Sequence, residues 1–216
     1  MCWCLAPDTT ERSVVSLQDE TRFLLIVRER LRPGSHEAYD ANERQLAAIA
    51  AKWECPHPYL ALAPESGLTE VWWLSTFASQ KERDDLPKAY GRNQPLIEAM
   101  APFGNRKQEF RETLASSTTE YRRDLSGTAL RIAGTRYFTV NTSLQEDRSA
   151  AAVFESSSGE HFVFTASRDR TSAQETALRW GLPAMVFAVT PQWSFPAKAW
   201  VNADPEFWKV PDSASL

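Results

Sequence analysis

Cysteine is scarce in this 216-residue chain: Cys2, Cys4 and Cys55 are the whole set. An odd number of thiols excludes a fully paired disulfide framework, and the one-residue gap in "CWC" is neither a redox nor a zinc-type spacing. The N-terminal stretch lacks the basic start of a leader peptide, so the expected compartment is reducing, the cytoplasm. Long hydrophobic runs are missing as well. The apolar stretches are strand-sized, short of the roughly 20 residues a membrane helix needs, and no membrane partner is expected. Basic charge is not in excess either: 24 Lys and Arg stand against 28 Asp and Glu. Without a basic run nucleic acid is not an expected partner, because phosphate binding needs clustered cations. G-x-S-x-G, H-E-x-x-H, P-loop and G-x-G-x-x-G patterns are all absent. That removes the usual routes to a serine hydrolase, zinc protease, NTPase or Rossmann dehydrogenase.

What the chain does have is aromatic mass. Hydrophobic residues make up 43%, with 8 Trp and 11 Phe among them, enough to build a sizeable core. "RFLLIVRERLRPG" (22–34) reads as a buried strand ending at a Pro-Gly break, with Arg28 and Arg30 as edge charges against aggregation. A helix follows over 35–53, with Ser35 as its cap and Glu37 in its first turn. Tyr39, Leu46, Ile49, Ala50 and Trp53 form its apolar face, leaving Glu37, Asp40, Glu43, Arg44 and Lys52 mostly off it. "YLALA" (59–63) and "LTEVWWLSTFAS" (68–79) make an antiparallel hairpin around "PESG". Adjacent strand residues face opposite sides, so Trp72 and Trp73 imply a strand covered on both. The charged stretch 80–125 reads as short helices divided by Pro87, Gly91, Pro95 and Pro102.

The second half echoes the first. "RYFTVNTSL" (136–144) is strand-like, 151–167 is a hairpin, 168–181 a helix stopped by Gly181, and 184–190 a strand. "EVWWLSTFAS" and "EHFVFTASRD" each place a glutamate before an aromatic-rich strand, which suggests internal repetition. Only "QEDRS" separates the second unit's first two strands, so that unit lacks its first helix. The expected organisation is a flexible tail (1–20), a first unit (21–125), a degenerate second unit (126–190) and an aromatic, proline-rich extension packed on the rest (191–216).

Strand-helix-strand-strand-helix-strand is the ferredoxin-like order. "FLLIVRERLRPGSHEAYDANERQLAAIAAKW" resembles the opening of dimeric α+β barrel proteins. "NQPLIEAMAPFGNRKQEF" is similar to the second-helix region of NIPSNAP-like and antibiotic-biosynthesis-monooxygenase-like members. The resemblance implies an α+β fold of two ferredoxin-like units whose antiparallel sheets pack as a barrel. Either one chain supplies both units, as a monomer with an internal pseudo-dimer, or two chains do, as a homodimer.

Three functions follow as alternatives, and whether the chain is an enzyme stays open among them. In the first, the barrel binds a small apolar or aromatic molecule and, as the resemblance implies, can oxygenate or cyclise it without a cofactor. Trp72, Trp73, Tyr137 and Phe164 would line that site, with Tyr90, Arg92 and Asn93 of "KAYGRNQP" presenting donors. In the second, His57 or His161 ligates haem. These two histidines are also the candidate general bases, since imidazole titrates near neutrality. In the third, the aromatics are core and interface, without a ligand. No metal ion is expected. Glu70 and Glu160 precede equivalent strands, with nothing to bring them together as a carboxylate pair.

Overall fold

The structure, a computed structural model, describes residues 21–65, 67 and 69–209. The expected tail, 1–20, and the end of the extension, 210–216, lie outside these. The elements run β1 (Phe23–Leu31), α1 (His36–Lys52), β2 (Leu60–Pro64), β3 (Glu70–Phe77), α2 (Gln80–Gly91), α3 (Gln94–Phe110) and β4 (Arg111–Tyr121). After these come β5 (Tyr137–Asn141), β6 (Ala152–Ser156), β7 (His161–Ser167), α4 (Arg170–Trp180), β8 (Met185–Val189), α5 (Lys198–Ala203) and α6 (Pro205–Trp208). All strand pairs are antiparallel, and the order β1-β3-β2-β8-β5-β7-β6-β4 closes on itself. The barrel is therefore completed within one chain.

Period-two alternation fills its interior. Leu24 and Ile26 of β1, Leu60 and Leu62 of β2, and Trp72 and Leu74 of β3 meet Phe138, Phe154, Phe162, Phe164 and Phe187 in one buried cluster. The rings lock edge to face or tilted: Trp72 lies 6.0 Å from Phe162 and 5.1 Å from Phe187, and Phe164 lies 6.3 Å from Phe138 and 6.0 Å from Phe154. Each large ring removes roughly 150–250 Å² from water, and such pairs add about 0.5–1.5 kcal/mol beyond that burial. The extension covers one side of this cluster through Trp200, Phe207 and Trp208. It is pinned by Arg136, whose Nε and Nη2 donate to Asp204 at 2.8 and 3.1 Å. On the outer face of the second half, where a first helix would lie, Leu125 and Trp180 cover Ala151, Val153 and Val163.

Four details differ from the sequence reading. Residues 111–121, read as helix, form β4, because a segment of Thr, Ser and Leu without an apolar helical stripe favours pairing with β1 over a solvated helix. Ser35 precedes α1 but accepts no capping bond; its hydroxyl donates instead to the carbonyls of Arg32 and Phe110. Glu43, placed off the apolar face, is only 1% exposed, since it sits one turn after Tyr39 on the side that meets α3. Arg28 is no edge charge: β1 is paired on both sides, and the guanidinium lies over Trp72 and Phe162 while binding Glu160 at 3.2 Å.

Trp72→Ala is expected to cost about 3–5 kcal/mol in urea unfolding, the range for deleting a large buried ring. Leu178→Ala, at a side chain 82% exposed, is expected to change stability by less than about 0.5 kcal/mol.

Candidate functional site at the seam of the two halves

Alternation separates the residues expected to meet a ligand. Trp72 and Phe164 point into the barrel and are engaged with its other rings. Trp73 points outward, beneath the helices, and Tyr137 is half-buried between Ser167 and Ala188 on the outer face of β5. Tyr90 turns into a small cluster under α2, its hydroxyl 3.1 Å from Cys55 Sγ, and burial followed by that contact raises its pKa. Asn93 is a connector residue: Oδ1 caps α3 at Leu96, and Nδ2 donates to the Trp53 carbonyl at 2.6 Å. Arg92, at the C-cap of α2, is exposed.

The two histidines lie in different settings. His57 is buried, stacked on Phe77 at 4.4 Å, and its Nε2 has no hydrogen-bond partner among the described residues. Burial pushes its pKa down against the pull of Glu82 and the Thr76 carbonyl. His161 starts β7 with Nε2 3.9 Å from Glu155 Oε1.

Beneath α1 and α3 lies a charged cluster absent from the sequence reading. The Tyr39 hydroxyl donates to Glu29 Oε2 at 2.5 Å, and the Trp73 indole donates to the same oxygen at 3.2 Å. Arg111 Nη1 donates to Glu29 Oε1 at 3.0 Å. Lys107 stands between Glu29 and Glu43, 3.2 Å from each, with its ammonium 4.4 Å from the Trp73 ring centre. Burial alone would push the Glu29 carboxyl up, but Lys107, the Tyr39 hydroxyl and Arg111 outweigh it and hold it below its usual range. Glu43 has Lys107 and Asn42 alone to offset burial, and the neighbouring Glu29 charge works against it, so it is pushed up to about 7. Burial and these two carboxylates also raise the Tyr39 hydroxyl. Tyr39, Trp73, Arg111 and Lys107 each have a carboxylate partner inside the cluster, which makes it a clamp between helix layer and sheet.

Open space lies elsewhere. A groove of about 580 Å³ runs along the seam where β4 meets β6, lined by Phe23, Gln80, Arg83, Thr118 to Arg122, and Glu155 to Ser157. Direct cross-strand partners put Phe23, Glu120, Glu155 and His161 in one row over β1, β4, β6 and β7. Residues opposite in a ladder share a face with Cβ atoms about 4.5–5.5 Å apart, so the side chains of Glu120 and Glu155 leave the sheet side by side. Arg122 bonds Glu155 and, at 2.9 Å, Asp124. Arg83, delivered by α2, holds its guanidinium 5.5 Å over the Phe23 ring. The arrangement offers two carboxylates, two cations whose Nε and Nη2 are held by Asp84 and Asp124, several hydroxyls and an aromatic wall. Hidden in "ETLASSTTEYR" read as helix, this row had one available signal: a run of Thr and Ser suited to a strand. Among the described residues no group of three or more His, Cys, Asp or Glu side chains is placed to hold a metal ion. No helix among them is long and apolar enough to cross a membrane.

Glu43 gives a test of the clamp. Its folded pKa lies above the unfolded value, so between about pH 4.5 and 7 the folded state binds the extra proton. The stability this group contributes is therefore present below about pH 4.5 and declines as pH rises through 7. The difference in unfolding free energy between the parent chain and Glu43→Gln is expected to fall over that window and flatten above it, as read by urea titrations at several pH values.

No family model matches the chain, and no curated protein matches it in sequence. Solved structures do resemble it. A candidate monooxygenase from Fusobacterium nucleatum subsp. nucleatum is similar over 79% of this chain and 92% of its own, at 10% identity and a TM-score of 0.49. A candidate chlorite dismutase covers 80% of this chain and 97% of its own, at 14% identity and a TM-score of 0.45. A NIPSNAP family protein from Agrobacterium tumefaciens covers 48% and 89%, at 18% identity and a TM-score of 0.38. By its own strand order, register and closure, this chain is an α+β protein with one closed antiparallel barrel, built from two ferredoxin-like halves on one polypeptide.

Proposed function

We propose that this chain binds a small, polar, hydroxyl-bearing molecule in the seam groove. The observation that carries this reading is the groove itself, a volume of about 580 Å³ within the roughly 300–1,000 Å³ typical of ligand sites. Its lining sets the chemistry. Glu120 and Glu155 accept from hydroxyls, Arg83 and Arg122 bring positive charge although Asp84 and Asp124 already hold their Nε and Nη2, and Phe23 offers a ring to stack on. An apolar ligand inside the barrel has less support, because Trp72, Phe162, Phe164 and Phe187 already occupy that space with one another.

Thermal-shift and titration experiments with monosaccharides, hydroxy acids and sugar phosphates test the reading. At least one class is expected to stabilise the parent chain, with affinity falling about tenfold or more in Arg83→Ala and in Glu120→Gln, the scale of one charged hydrogen bond removed. A stabilising ligand indifferent to both substitutions would move the site out of the groove. Haem added in parallel keeps the second reading testable: a Soret band lost in His57→Ala or His161→Ala favours it.

A further inference from the structure

β4 is paired with β1 from Arg111 to Glu120, but with β6 only at Thr119, Glu120 and Tyr121. Tyr121 donates its N–H to Arg22 on the β1 side, and Arg122 donates its N–H to Val153 on the β6 side, each at 2.8 Å. Backbone groups in an antiparallel ladder turn to opposite edges residue by residue. Leu114, Ser116 and Thr118 therefore direct N–H and C=O away from β1, on an edge where no described residue pairs with them. Both side-chain faces of this segment are open, and Leu114 is 51% exposed.

Elsewhere the chain seals such edges itself. Beyond β8 the edge of β2 is taken by Thr190, Ser194 and Phe195, and beyond β4 the edge of β6 is taken by Ser126, Gly127 and Thr128. The edge at 114–118 carries none of the usual guards, neither lysine, proline nor bulge; the one register shift in this ladder lies before it, at the Leu31–Arg111 end.

We propose that this edge pairs antiparallel with the same edge of a second copy, about a two-fold axis at Ser116. The segment favours its own copy over a charged peptide. Thr113 to Thr119 contains no charge, and the symmetric register sets Leu114 against Thr118, Ala115 against Ser117 and Ser116 against Ser116. Within 113–119 no like charges oppose each other, small hydroxyl residues face across the axis, and an isologous contact closes at two subunits. Glu112 comes toward Glu120 only at the ends, where β6 already fills the edge and the pairing stops. The exposed Leu114 is covered in the same step.

Sedimentation velocity on the full chain over a concentration series tests this. The parent chain is expected to shift from monomer to dimer as concentration rises, with amides of Leu114, Ser116 and Thr118 becoming exchange-protected in parallel. Ser116→Pro removes a donor that does not serve the β1 ladder, and Ser116→Lys sets two ammonium groups face to face while keeping the backbone donor. Both are expected to remain monomeric with unchanged circular dichroism, and Ser116→Thr to dimerise like the parent. A chain monomeric at every concentration overturns the proposal, as does a dimer that survives both Ser116→Pro and Ser116→Lys. Edge amides protected at all dilutions overturn it too, in favour of a cover from within the chain.

Discussion

Two seams of three residue pairs each hold the halves of this protein in one closed sheet. β2 meets β8 at Leu62, Ala63 and Pro64, and β4 meets β6 at Thr119, Glu120 and Tyr121. Each half alone would be an open four-stranded sheet with one face on its helices and the other bare. Joining them turns the two bare faces toward each other, and the hydrophobic gain of that contact vastly exceeds what six residue pairs of ladder contribute. The interior residues are large because they must span the gap between two curved sheets. Trp72 from one half reaches Phe162 and Phe187 from the other, so the aromatic content is explained by closure before any ligand is invoked.

Closure leaves the outer face to be settled separately, and there charge does part of the work. Two carboxylates buried under α1 share one ammonium, an arrangement that costs several kcal/mol per ion to desolvate unless each partner is satisfied. Glu29 is satisfied four times over, by Tyr39, Trp73, Arg111 and Lys107. Glu43 has two partners, Lys107 and a long contact from Asn42 at 3.4 Å. The imbalance explains why neighbouring carboxyls move in opposite directions, Glu29 down and Glu43 up. Lys107 reaches both because α3 ends directly above β1, where its chain turns back as β4. The cluster thus fixes how the long helix hands over to the longest strand.

Much of the fold was legible in the sequence, for reasons that particular residues make plain. The tryptophan pair required a strand covered on both sides, and Trp72 is 1% exposed in the interior while Trp73 packs beneath the helices. The echo between "EVWW" and "EHFV" is a true register: Glu70 accepts from the Trp72 indole, Glu160 binds Arg28, and Trp72 and Phe162 face each other between β3 and β7. The seam was not legible. A strand paired mostly with β1 and exposed on both faces carries no alternation of apolar and polar residues, so "RETLASSTTEY" gives periodicity nothing to detect. With β4 misread, Glu120 and Glu155 had no reason to be neighbours. Glu43 was hidden for the opposite reason: it stands one turn from Tyr39, but its charge argued for the solvent side of the helix.

The two seams are related by an approximate two-fold, and their shared details show what is structural. After β8 the Ser194 hydroxyl accepts from the Ala61 N–H at 3.0 Å and donates to the Thr190 carbonyl at 2.8 Å. After β4 the Ser126 hydroxyl accepts from the Val153 N–H at 2.9 Å and donates to the Arg122 carbonyl at 2.6 Å. One serine device therefore closes both seams, each time bonding back four residues. What breaks the symmetry is strand length, five residues in β8 against eleven in β4. The surplus residues of β4 carry its uncharged edge, and the seam they run into keeps the groove open on the second half's hairpin. The barrel's interior is spent on its own closure, so the place where this symmetry fails, with its groove and an edge that no described residue pairs, is the part of the molecule on which the proposed recognition rests.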